Sequence, residues 1–314
     1  MHSDSHDSPP EGEPPPQAGP PSQTGDVAPS KSGNVASSET GDVAPAELPT
    51  NVRWRMFALA CGTSWFLYLH RYAWLFIGPA IKKEYELSQT QVQSLFVFFS
   101  PSYGIGQIPS GVVCDFFGPH VFLGVIIVLW SLILPLHGLS LGKLAVVRVL
   151  FGAAQAGTYP SLSKVTHTWF PQESRTIVQG WVATFFGRGG AAMSSIILAT
   201  VLMGWCGLEW RAALLVMGGA GVVFGICFLI VFRNSPAQHA DVNQAERALI
   251  ASGRPPGQSH RAVLPWRRAL KNRSMRFFVL QQIASAGADV VYVTLMGEYF
   301  LNARGFEIAE GQKL

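Results

Sequence analysis

Charge is scarce in this chain, and acid is scarcest along its apolar stretches. Only 13% of the 314 residues are charged, against 48% hydrophobic, although the first fifty residues are strongly polar. A soluble protein with apolar core helices is the competing reading, and recurrent charge-poor runs with polar punctuation argue against it. The four cysteines, Cys61, Cys114, Cys206 and Cys227, form no C-x-x-C pair and show no His/Cys spacing for zinc, so neither a thiol-redox motif nor a metal site is indicated. Ser/His/Asp and Gly-rich phosphate constellations are also missing at motif spacing. An enzyme is therefore not expected, and no cofactor is implied. Residues 1–50 contain no apolar core, so the first apolar run must itself direct insertion.

What is present is a series of long apolar runs. They predict membrane spans over 54–81, 89–113, 121–139, 143–168, 176–203, 211–232 and 275–301, most near the ~20 residues that cross a hydrocarbon core. Residues 1–50 read as a disordered tail with a degenerate octapeptide repeat at 24–31, 32–39 and 40–47, too polar to bury a core. Residues 51–232 form a six-helix bundle, 233–274 a linker, and 275–314 a seventh span with an outer loop. Within the linker, residues 241–251 read as a short amphipathic helix. Nine Lys/Arg fall in 233–276, which places that loop in the cytoplasm, and an even number of crossings places the N-terminus there too. Topology accounts for the basic loop, and no nucleic-acid partner is expected. Pro101, Pro109 and Pro160 predict kinks, and the dense glycines predict close helix packing or hinges.

Three arginines stand inside these spans: Arg71, Arg148 and Arg188. A central cation costs roughly 2.5–3.5 kcal/mol on insertion scales and needs a partner. The first six spans hold no Asp or Glu, so the natural partner is an anion arriving from outside. Arg188 reads either as a third anion ligand or as a side chain that snorkels to an interface. Asp289, midway along the seventh span, reads as a proton or sodium site, or as the partner of a first-bundle arginine.

The loop from Gly111 through Asp115 and Gly118 to His120 resembles the G-x-x-x-D-[RK]-x-G-[RK]-[RK] motif of the major facilitator superfamily, with Phe116 and Pro119 in place of basic residues. Arg148 and Gly152 resemble that superfamily's R-x-x-x-G. Within it, the chain is most similar to the anion:cation symporters, which include hexuronate and aldonate carriers. Tyr68-Leu-His70-Arg71 resembles their Y-x-D-R, Gln107–Gly111 their Q-I-P-x-G, and Trp169–Arg175 their W-F-P-x-x-E-R. Glu209-Trp210-Arg211 and residues 299–305 add two further matches. The resemblance implies an all-α membrane protein: a six-helix N-terminal bundle of the major facilitator type plus one helix of an incomplete second bundle. It also implies secondary transport of a small organic anion by alternating access, with Arg71 and Arg148 on the substrate carboxylate. Tyr68, Gln155 and Tyr159 are candidate partners for substrate hydroxyls.

Two departures bear on coupling. His70 stands where relatives keep the first-span acid, and Gln155 where many keep a glutamate. Coupling to a co-transported proton or sodium then needs another carrier, His70 or Asp289, or there is none; His70 reads equally as a polar packing residue. Loss of the basic neighbour should weaken the lock at Asp115 or move it elsewhere. Organophosphate exchange and a seven-helix receptor or non-transporting fragment are the alternative readings, and the 314-residue polypeptide is not expected to transport by itself.

Overall fold

In hydrocarbon a helix satisfies its own backbone within one segment, and every regular element among the described residues is helical. The computed structural model describes residues 47–253 and 271–298, with side chains to Asp289. The repeat tail, most of the basic loop and the motif at 299–305 lie outside the described residues. Among the described residues, three stretches are apolar and long enough to cross a membrane: Gln89–Gly138, Gln172–Trp205 and Trp210–Val231.

The predicted spans are broken more often than their hydropathy suggests. The first is two helices, α1 (Val52–Tyr72) and α2 (Trp74–Glu84), divided at Ala73. The second begins with α3 (Gln89–Val97), whose first turn is closed by a Ser88/Gln91 capping box. It breaks at Phe98 and resumes as α4 (Phe99–Ile133), with Pro101 in the first turn of α4, where a missing N–H is tolerated. Helix α4 also takes in the third predicted span. The corner between the two is Gly118, at φ 76°, a left-handed conformation that favours glycine. The fourth span divides at Gly157 into α5 (Leu141–Ala156) and α6 (Thr158–Trp169). Pro160 again sits in the opening turn, and the Thr158 hydroxyl donates to the Gln155 carbonyl at 2.9 Å. The fifth alternates: α7 (Arg175–Gly180), a π-helical Trp181–Phe186, α8 (Gly187–Ser195), then a π-helical Ile196–Trp205. Helices α9 (Trp210–Val231), α10 (Gln244–Ala251) and α11 (Arg273–Glu298) follow.

Helix α4 packs along α5 and α9, while α1 packs along α8. Their shared core includes Leu67, Leu123, Ile127, Trp130, Phe151 and Phe228. Large apolar side chains such as Ile105, Ile108, Val223 and Ile230 are exposed, as expected of surfaces that face lipid.

Both ends of the bundle are tied by polar contacts. At one, Arg211 pairs with Glu84 and donates from Nε to the Gly138 carbonyl at 3.1 Å, joining the ends of α2, the 134–138 turn and α9. At the other, the linker returns to α1. Glu246 of α10 is fully buried and accepts from the backbone N–H of Val52 at 3.0 Å and of Arg53 at 2.9 Å. Asn51 supplies no side-chain cap, so the linker carboxylate closes the first turn of α1 from outside it. The amphipathic helix expected at 241–251 starts later, at Gln244, because Asn243 caps it by accepting from Glu246 N–H at 3.0 Å.

Candidate functional site

Arg71 lies near the C-terminal end of α1 and reaches toward α4 and α5. Its Nε donates to Gln155 Oε1 at 3.1 Å. Its guanidinium lies over the rings of Tyr103 at 4.2 Å, Phe99 at 5.0 Å and Tyr68 at 5.2 Å. Its Nη2 is buried and has no hydrogen-bond partner among the described residues. Gln155 is itself fully buried and donates to the Leu67 carbonyl at 3.4 Å. An amide holds Arg71 in place without cancelling its charge. Cation–π contacts offset part of the burial cost, but the site keeps a net positive charge and an unused donor. That combination can accept a carboxylate or another oxyanion.

Arg148 is used differently. Its guanidinium is buried against Trp74, Phe96 and Phe99, at 4.4, 5.5 and 5.1 Å from their ring centroids. It donates to the carbonyls of Leu95 and Phe96, both at 3.3 Å, in the last turn of α3 before the break at Phe98. Gly152, one turn along α5, permits this approach, since a Cβ there would meet the Ser102 hydroxyl and the Phe99 carbonyl. Phe99 carries both arginines.

His70 faces the other side of α1. Its Nε2 lies 3.1 Å from the Met217 carbonyl, and its ring packs on Phe66 and against Gly221 of α9. Tyr68 stacks on Tyr72 at 5.9 Å and meets Tyr159 edge-on at 6.3 Å, while Tyr159 bonds Ser64 at 3.1 Å. Arg188 Nη2 contacts Asp289 Oδ2 at 3.1 Å, so α8 and α11 share an ion pair. The structure thus gathers Arg71, Tyr68, Gln155 and Tyr159 into one neighbourhood, joins Arg188 to Asp289, and sets His70 apart.

The 111–118 loop lies at the linker end. Asp115 pairs with Lys164 Nζ at 2.8 Å, and the same ammonium reaches the Cys114 carbonyl. Lys164 supplies the cation that Phe116 does not. Asn234 packs on Gly118 and accepts from His120 N–H at 2.8 Å. Gly111 has open space around it. A cleft of about 580 Å³ lies here, beside Asp115 and Arg247, and not at Arg71. The sequence reading missed the Lys164 partnership, the Glu246 cap and the aromatic cage. Only the cage left a signal, in the one-turn spacing of Phe99 and Tyr103.

The Major Facilitator Superfamily model matches residues 58–312. The chain belongs to that family. Among similar major facilitator proteins are a probable sulfoacetate transporter of Cupriavidus necator (27% identity; 83% of this chain, 60% of that protein) and a probable galactarate/D-glucarate transporter of Bacillus subtilis (27%; 85% and 61%). A galacturonate transporter of Dickeya chrysanthemi is 27% identical over 83% of this chain and 75% of its own length. These relatives are transporters, not enzymes. The chain spans about three-fifths of the length of the first two. A bacterial homologue of the human lysosomal transporter Spinster, solved inward-facing and unoccupied, aligns with a TM-score of 0.53 at 18% identity, over 60% of this chain and 45% of that one. It shares the fold.

Proposed function

We propose that this chain carries the anion-holding half of a major facilitator carrier for sugar acids, and that Arg71 is the anchor for the substrate carboxylate. One observation carries this reading: Arg71 is held by the amide of Gln155, with a buried Nη2 left unpartnered. The named substrates of the sulfoacetate, galactarate and galacturonate relatives are all small organic acids, which supports the same class here. Tyr68 and Tyr159 are the candidate partners for substrate hydroxyls, and their proximity to Arg71 supports that reading. Arg148 acts indirectly, by keeping span two broken at Phe98 and holding Phe99 under Arg71. Transport would proceed by alternating access between two bundles, with the loop at Gly111, Asp115 and Gly118 biasing one conformer through the Asp115–Lys164 pair. His70 serves the α1–α9 contact, which leaves Asp289 as the candidate for ion coupling.

We assign the chain to the cell (inner) membrane as a multi-pass protein with its N-terminus cytoplasmic. The contact of Glu246 with Val52 and Arg53 puts the linker and the start of span one at the same end, and the positive-inside rule makes that end the cytoplasmic one.

The test is equilibrium binding of galacturonate to the purified chain in lipid nanodiscs. Arg71→Gln is expected to abolish binding. Gln155→Glu is expected to weaken it, because a carboxylate at that position would compete for the guanidinium. Binding unchanged in both variants would overturn the assignment. Preferential binding of a hexose phosphate would favour an organophosphate exchanger instead.

A further inference from the structure

We infer that Arg188 is a second anion position, kept occupied by the carboxylate of Asp289 until the second acidic group of a dianionic substrate takes its place. The inference rests on the reading of Arg71 as the first anion anchor, and it names the substrate class as dianions such as aldarates.

The pair joins two parts of the chain that the linker separates. Arg188 lies on α8 between two π-helical segments, and Asp289 lies on α11. Segments of π-helix are rare and occur often at functional sites. The single contact, Nη2 to Oδ2 at 3.1 Å, is the one hydrogen bond that Asp289 makes among the described residues. Relative exposures of 64% and 55% leave both side chains accessible. Both side chains can therefore be reached, and an incoming carboxylate makes the same charge-assisted bond.

The two arginines share a neighbourhood. The Arg71 guanidinium lies over the Tyr68 ring, and Tyr68 stacks on Tyr72. A Cβ on Gly187, the residue before Arg188, would stand 3.2 Å from Tyr68 Cε2. Tyr72 lies within electrostatic reach of Arg71, Arg188 and Asp289 together. A tyrosine pair is thus flanked by one uncompensated cation, Arg71, and one cation with a removable counter-ion, Arg188. A monocarboxylate needs only the first. A molecule with an acid at each end can engage both, and Asp289 is then released from Arg188. No covalent step is involved; one carboxylate replaces another.

Isothermal titration of the 314-residue chain in nanodiscs decides this by comparing galactarate, with two carboxylates, and galacturonate, with one. Arg188→Gln is expected to weaken galactarate binding by about tenfold, the loss of one charge-assisted contact, and to leave galacturonate unchanged. Arg188→Lys should restore part of the loss. Asp289→Asn, which removes the competitor, should raise the ratio of galactarate to galacturonate affinity several-fold. A merely structural pair would change both ligands together. Equal effects on both acids, or none on either, would overturn the inference while leaving Arg71 in place. Binding of both acids that is insensitive to Arg71→Gln would overturn the reading of Arg71, and failure to bind either acid would overturn both.

Discussion

Arg148 donates from Nη2 to the carbonyl oxygen of Phe96 at 3.3 Å, while the Phe96 ring lies 5.5 Å from the same guanidinium carbon. Backbone and side chain of one residue therefore hold one cation. The carbonyls in the last turn before a helix break must find donors when no water is near, and a buried arginine from the neighbouring helix supplies them. This separates Arg148 from Arg71, although both arginines stand within spans and share the Phe99 ring.

Stability and binding should therefore respond differently at the two positions. Replacing Arg148 by Ala removes a charged donor from each of two part-buried carbonyls, at about 1–3 kcal/mol each. It should lower the thermal unfolding midpoint of the detergent-solubilised protein by several degrees. Arg71→Ala should change that midpoint little and remove anion binding. Equal losses of stability would contradict the division.

Adjacent glycines on α8 provide a test of close packing. A Cβ on Gly190 would run into the Trp65 backbone, its carbonyl included, whereas Gly189 faces open space. Gly190→Ala should destabilise by about 1–3 kcal/mol through overpacking. Gly189→Ala should be neutral, or stabilising by up to about 1 kcal/mol from helix propensity. Thermal unfolding of the two variants side by side checks the contrast.

Glu246 makes the docking of the linker depend on pH. Burial by itself would raise its carboxyl, but the N–H of Arg53, the Thr50 hydroxyl and the N–H of Val52 outweigh that and hold it below the ordinary glutamate value. A lowered carboxyl contributes stability above the unfolded value near ~4.3, and the contribution is lost as pH falls through the folded value. Linker amides should lose protection from hydrogen exchange, relative to their intrinsic exchange rates, on acidification below about pH 4.3. Glu246→Gln should lose that protection at neutral pH as well, with a stability loss on the order of 2 kcal/mol.

The Asp115–Lys164 pair is partly exposed, with relative exposures of 73% and 36%. Its coupling energy in a double-mutant cycle should fall below ~1 kcal/mol and shrink with salt. Asp115→Asn and Lys164→Gln should shift the balance of conformers in the same direction, as read by distance measurements between labels at the two ends of the bundle. Opposite shifts would show that the two residues do not act as a unit.

Hydropathy made the helical class and the approximate spans legible, because one helix long enough to cross hydrocarbon leaves an uninterrupted apolar signature. Helix breaks were only partly legible. Pro101 and Pro160 mark the interruptions at Phe98 and Gly157, but no proline stands at the Ala73 break. The Gly118 corner could be read as a loop, since glycine is the residue that takes a positive φ there.

Composition and spacing by themselves determined that three arginines stand in spans without acid, and motif spacing pointed to Arg71 and Arg148 as a pair. Only tertiary structure decided their separate partners. Partnership across helices depends on which faces meet, and residues 84 positions apart such as Arg71 and Gln155 leave no periodic trace of their contact. For the same reason, the packing of α8 and α11 decided that Arg188 meets Asp289, and the return of the linker decided that Glu246 closes the first turn of α1.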